Sequence, residues 1–144
     1  KDNPDAVYDK ICECAATVGW NLILQGHPFQ LTDNEGELTR CDGESSFPSV
    51  LRRLASFSQS SKTPLPDILG ALSGQLGKCQ IYLFTNQLTS MLMDVILRVR
   101  ENGNFVTVVM VGPLSDPLPG NGNGLQFLTV GVKDDTARAL EAGL

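Results

Sequence analysis

The sequence predicts an α/β fold: three layers, with a mostly parallel sheet and helices on both of its faces. Three observations carry this. Two short runs, residues 79–85 (C-Q-I-Y-L-F-T) and 105–111 (F-V-T-V-V-M-V), are apolar almost without interruption, as in strands covered on both sides. Between them Leu88, Met91, Leu92, Val95, Ile96 and Val99 recur at the i, i+3, i+4 spacing of an amphipathic helix. A third run, residues 125–130, is again followed by helix-start residues, so strand and helix alternate as they do around a parallel sheet.

The elements follow in order. Asn3-Pro4-Asp5 is a helix start, with a capping amide, a proline at the first helical position and an acid in the first turn. Val7, Ile11, Cys14, Ala15 and Val18 continue it at helical spacing, and Gly19 reads as its stop. Residues 20–25 (W-N-L-I-L-Q) read as a short strand, broken by Gly26-His27-Pro28. Residues 29–32 and 37–41, on either side of the turn Asp33-Asn34-Glu35-Gly36, read as an antiparallel hairpin. Ser45, Ser46 and Pro48 open a helix whose apolar face is Phe47, Val50, Leu51, Leu54, Ala55 and Phe57. A polar link, 58–62, leads to Thr63-Pro64-Leu65-Pro66-Asp67 and a helix to Leu76, with Leu65, Ile68, Leu69, Leu72 and Leu76 inward. After the strand at 79–85 comes the helix already described, in which Met91 falls on the core side and Met93 off it. Asn102-Gly103 closes that helix before the strand at 105–111. Residues 112–124 hold three prolines and four glycines and read as a loop. The strand at 125–130 follows, and Asp134-Asp135 caps a last helix to Ala142.

Composition narrows the functional classes. A chain of 144 residues has the size of one ordinary domain, and folding at that size buries roughly 68–70% of the extended chain's surface. Eleven basic side chains against sixteen acidic ones leave a net charge of -5, which argues against a duplex-binding surface. Cys12, Cys14, Cys41 and Cys79 show no C-x-x-C spacing, and His27 is the only histidine, so four free thiols in a reducing compartment are expected rather than a metal site. Gly120-Asn121-Gly122-Asn123-Gly124 precedes a strand instead of opening a helix, so it lacks the dipole that makes a phosphate loop. Ser56, Ser58, Ser60 and Ser61 have no base near them in sequence, and Asp134 and Asp135 read as a helix cap rather than an acid–base pair.

Three segments resemble the second part of a von Willebrand factor A-type domain. Thr63-Pro64-Leu65 with Ile68-Leu69-Gly70-Ala71-Leu72 is similar to the family's T-x-L-x-x-A-L helix start. Ile81-Tyr82-Leu83-Phe84-Thr85-Asn86 is similar to its apolar strand ending in Thr-Asp-Gly, and residues 97–109, with Gly103, to its helix-glycine-strand step. Ala15-Ala16, Leu22-Ile23-Leu24 and Leu51-Arg52-Arg53-Leu54-Ala55 bring the layout closest to the C-terminal part of a bacterial, MoxR-ATPase-associated family of unknown function (domain of unknown function fifty-eight). The resemblance implies a Rossmann-like sheet, a cytoplasmic location, in a parent protein with membrane helices, and a MoxR-type ATPase as partner. It also implies a first, central strand between 20–25 and 79–85. None precedes the first helix, so the chain reads as a fragment of a longer protein, with the two flanking strands pairing directly or a second chain covering them.

The A-type metal site needs an Asp-x-Ser-x-Ser loop, a threonine and an aspartate, oxygen donors suited to a hard divalent cation. The loop is absent: Asp42-Gly43-Glu44-Ser45-Ser46 has such oxygens at another spacing. Thr63 matches the threonine, though threonine before a helix-opening proline is also ordinary capping chemistry, and Asn86 stands where the aspartate would be. The expectation is therefore a degenerate site at Thr63 and Asn86, with no metal, no cofactor and no catalytic residue. Ligands of open α/β sheets bind at the C-terminal strand ends. Here that edge carries Gln25-Gly26, Thr85-Asn86-Gln87, Val111-Gly112-Pro113 and Gly131, polar but uncharged, with Thr85, Asn86, Gln87 and Gly112 as the candidate partner-binding edge. The reading is a non-enzymatic protein-interaction module. Two alternatives stand beside it: a metal-dependent binding domain whose key loop lies upstream, and a Rossmann-like domain for a nucleotide or small molecule.

Overall fold

The computed structural model describes residues 4–32, 37–56, 64–74, 78–113, 118, 120 and 122–141. It is α/β. Helix α1 (Pro4–Leu24) leads to a hairpin of β1 (Phe29–Thr32) and β2 (Leu38–Cys41). A 3-10 turn (Glu44–Ser46) runs into α2 (Phe47–Ala55), and α3 (Leu65–Ser73) follows. Then come β3 (Gln80–Thr85), α4 (Ser90–Glu101), β4 (Phe105–Val111), β5 (Leu125–Val130) and α5 (Thr136–Leu140). Among the described residues the strands make two sheets: the antiparallel β1-β2 hairpin and a parallel sheet in the order β3-β4-β5. This arrangement is compatible with a Rossmann-like fold.

β4 is central, and its side chains alternate between two cores. Val106, Val108 and Met110 join Leu83, Phe127 and the α4 residues Leu92, Val95, Ile96 and Val99, with Leu69 of α3. Val109 and Val111 join Val130, Leu140 of α5 and the α1 residues Val7, Ile11, Cys14 and Val18. Helices therefore cover both faces. A third, smaller cluster of Ile23, Cys41, Phe47 and Val50 ties the end of α1 to the hairpin and α2.

The largest correction lies at residues 20–25, which are helix and not strand. Gly19 does not stop α1. It lies inside the helix, where a Cβ would stand 2.9 Å from the Phe29 ring, so its bareness admits β1 against the helix. Packing overrides the local pattern: Val18 and Leu22 point to the sheet, and Ile23 to the hairpin cluster. The stop comes at Gly26, whose φ of +81° suits glycine. Its N–H donates to Ile23 O and the His27 N–H to Leu22 O, the paired bonds of a Schellman motif. With no strand at 20–25, the expected gap between two strands, and their direct pairing, do not arise. Among the described residues β3 instead forms one edge of its sheet, and its exposed and half-buried positions, Gln80, Ile81, Tyr82 and Phe84, reflect that.

Smaller corrections follow the same logic. Met91 is 63% exposed, whereas Met93 packs against the core; the helix is turned so that 92, 95, 96 and 99 face inward. Leu51 and Ala55 of α2 are exposed, because the short helix turns only Phe47 and Val50 fully inward. α3 ends at Ser73, before the expected Leu76. The expected turn at 33–36, the link at 58–62, Phe57, Leu76, Asn121 and Ala142 lie outside the described residues.

Candidate functional site

The open edge of β3 follows from its register. The Phe105 N–H donates to Cys79 O, and Gln80 lies opposite Phe105 in the parallel ladder. Backbone groups along a strand alternate in direction. The N–H and C=O of Ile81, Leu83 and Thr85 therefore turn toward β4, and those of Gln80, Tyr82 and Phe84 turn away from it. Among the described residues β3 pairs with β4 alone, so these three residues present an unpaired row.

Beside that row runs a groove of about 1340 Å³. One wall is α1, through Tyr8, Ile11, Ala15, Val18 and Leu22, with the hairpin beyond it. The other is α3, through Leu65, Ile68, Leu69 and Leu72. The walls stand on opposite faces of β3, since Tyr82 and Phe84 pack with the α1 core while Ile81 and Leu83 pack with the α3–α4 core. Both helical layers thus continue past the sheet edge. The charged residues among the described lining are Arg40, Arg53 and Lys78, with no acid beside them. Arg40 pairs with Asp42 and Arg53 with Glu37, carboxylates that stand outside the groove lining. Lys78 is exposed just before β3, its stem lying over Gly103.

Among the described residues lining the groove few side chains suit chemistry, and His27 is there with no carboxylate in that lining. Cys12 reaches it, but burial, and then Asp9, push its thiol up from the ordinary value, and its Sγ is directed at Leu54 O. Cys14 lies deeper, pushed up to about 11 mainly by burial. Both stay protonated at neutral pH and are poor nucleophiles. The Tyr82 phenol is also raised by burial, against the opposing effect of the Gln80 amide that donates to its oxygen at 2.8 Å. All four cysteines are free. Among the described residues no group of three or more His, Cys, Asp or Glu is gathered as a metal would require.

Of the sequence-derived edge residues, Thr85, Asn86 and Gln87 line the groove at the C-terminal end of β3. Thr85 is buried; its Oγ1 accepts from Gln87 N at 3.2 Å and donates to Gln87 O at 3.0 Å, closing the strand in a local turn. Asn86 and Gln87 are exposed. Gly112 lies at the same sheet end, as the Thr85–Met110 register requires, but it is buried under Val7 and does not reach the groove. Gln25 and Gly26 belong to the end of α1 rather than to that edge. Thr63 lies outside the described residues. Within 42–46, Ser46 Oγ accepts from the Asp42 and Gly43 N–H groups and donates to Gly43 O, so that serine shapes the turn into α2. Asp135 caps α5 through Arg138 N, and Asp134 accepts from Gly131 N at 2.7 Å.

The groove itself was not among the sequence-derived sites. Its one local signal is β3, where Gln80 and the Tyr82 hydroxyl interrupt an apolar run, as edge strands do. Among the described residues no helix is long and apolar enough to cross a membrane. No protein-family model, no curated protein and no solved structure matches the chain.

Proposed function

We propose that this chain is a non-enzymatic protein-interaction module, and that the groove beside β3 is its binding site. The observation that carries the reading is the groove's size and lining. Small-molecule pockets are roughly 300–1,000 Å³. This one, at about 1340 Å³, is larger, apolar on two walls and open along a strand. Such a trough suits a polypeptide segment better than a metabolite. The von Willebrand A-type resemblance of the sequence supports an interaction role, and it makes a MoxR-type ATPase the partner to try first, at the cytoplasmic face of a membrane.

Panning a library of random dodecapeptides on the folded protein tests this. Enriched peptides are expected to bind in fluorescence anisotropy. Leu38→Asp, on an exposed residue of the groove wall, should weaken them at least tenfold. Leu51→Asp, on a similarly exposed residue outside the groove, should leave them unchanged. Failure to enrich any peptide, or equal effects of the two substitutions, would overturn the reading.

A further inference from the structure

We infer that the occupant of the groove binds as an added β-strand on the free edge of β3: an extended segment of another polypeptide, apolar on both faces, with an acid at the end beside Lys78. This rests on the interaction reading above and specifies what it binds.

The strand form follows from the unpaired row. Gln80, Tyr82 and Phe84 each direct an N–H and a C=O into a trough whose walls are apolar, and an occupant that displaced water from them without replacing those hydrogen bonds would pay their desolvation. Only a chain with its own backbone donors and acceptors at strand spacing meets all three residues at once. A helix satisfies its backbone internally and offers them nothing.

The composition follows from the walls. A strand laid on β3 would have α1 on one side and α3 on the other. Its side chains alternate between those walls, so successive residues must both be apolar, as in a buried parallel strand. β3 is six residues long, and it sets the length of the run it can pair. The charge follows from the rim. In a chain of net charge -5, the described lining carries three cations and no acid. Lys78 stands at one end of β3 with no ion pair among the described residues, so an acid there completes the segment. A second copy of this chain is a poor occupant, because its own β3 is recessed between the same two helical walls.

Hydrogen exchange by NMR gives the test, using the tightest synthetic peptide from the panning. In the free protein the amides of Gln80, Tyr82 and Phe84 should exchange fast while those of Ile81 and Leu83 are protected. Saturation with the peptide should slow the first set at least tenfold. Enriched sequences should share an uninterrupted apolar run next to an acid. Tyr82→Pro removes an edge-facing N–H without touching the β4 ladder and should weaken binding at least tenfold, while Tyr82→Thr keeps most of it. If Tyr82→Pro fails to fold by circular dichroism, Gln80→Pro, at the strand's first position, replaces it. A peptide that binds in the Leu38-sensitive groove yet leaves the three amides fast, or that binds as a helix, overturns the strand proposal and leaves the interaction reading standing. Protection of the three amides already in the free protein also overturns it, since the edge is then filled by this chain. Dimerisation in sedimentation with the same protection pattern would replace the proposed partner with a second copy.

Discussion

Asn104 shows how much one buried amide can hold. It is 4% exposed, its Oδ1 accepts from Cys79 N at 3.1 Å, and its Nδ2 donates to Val99 O at 2.9 Å. It thereby fastens the end of α4 to the start of β3, the strand that borders the groove. Asn104→Leu keeps the volume but leaves two backbone groups without partners, at roughly 1–3 kcal/mol for each group buried unsatisfied. A loss of about 2–6 kcal/mol is expected in urea denaturation with an unchanged m-value. On the opposite face Lys10, 9% exposed, donates to Glu13 Oε2, Asp134 O and Thr136 Oγ1, joining α1 to the start of α5. The Lys10 and Thr136 hydrogen bonds hold the Glu13 carboxyl below its ordinary value of 4.5. A lowered native value means that the stabilisation is complete above 4.5 and is lost as pH falls through the native value. Glu13 is 55% exposed on its side chain, so water screens the interaction to under about 1 kcal/mol. Glu13→Gln should therefore be slightly less stable than the wild type near neutral pH, with the gap closing below pH 4.5 in a stability–pH series. These contacts were not readable from the sequence. Asn104 looks like part of a turn and Lys10 like surface, because their partners lie on other elements. Met91 and Met93 were exchanged for a related reason: the spacing fixes a periodic face, but a turn of a few tens of degrees decides which flanking residue it includes.

Among the elements, those with a strong local pattern matched expectation: β4 and β5 at their predicted bounds, and the hairpin with its antiparallel pairing. Residues 20–25 failed because a six-residue apolar stretch fits a strand or the end of a helix equally well, and Gly19 supplied a false stop. What decides the matter is tertiary. Leu22 and Ile23 are held by two different clusters, and Phe29 needs the space above Gly19. Continuous helical Cα shifts through Leu24 are expected in NMR. Gly26→Ala forces an L-residue into φ +81° and should cost about 1–2 kcal/mol in thermal or urea denaturation. If Gly19 were the true stop, that substitution would be nearly silent.

At the scale of the molecule, the α/β architecture was legible because buried parallel strands and an amphipathic helix leave the plainest marks in a sequence. The groove was not, because segments distant along the chain make it: α1, the hairpin, α2, α3, the edge of β3 and the start of α4. Thr85, Asn86 and Gln87, expected from the rule about strand ends, line only one end of a groove that extends along the whole strand. The same architecture predicts how its two cores respond to damage. Ile96 and Leu140 are both fully buried, yet they belong to clusters on opposite faces of the sheet that share no member among the described residues, with β4 as the wall between them. Ile96→Val should cost roughly 0.5–1.5 kcal/mol and Leu140→Ala roughly 2–5 kcal/mol. Substitutions without shared partners add to within about 0.5 kcal/mol. The double variant should therefore lose the sum of the two, in a single transition with an unchanged m-value. A coupling above 1 kcal/mol would mean that β4 shifts as a body when either side is hollowed. In that case strain in one core would reach the other through the strand that also braces β3 and its open edge.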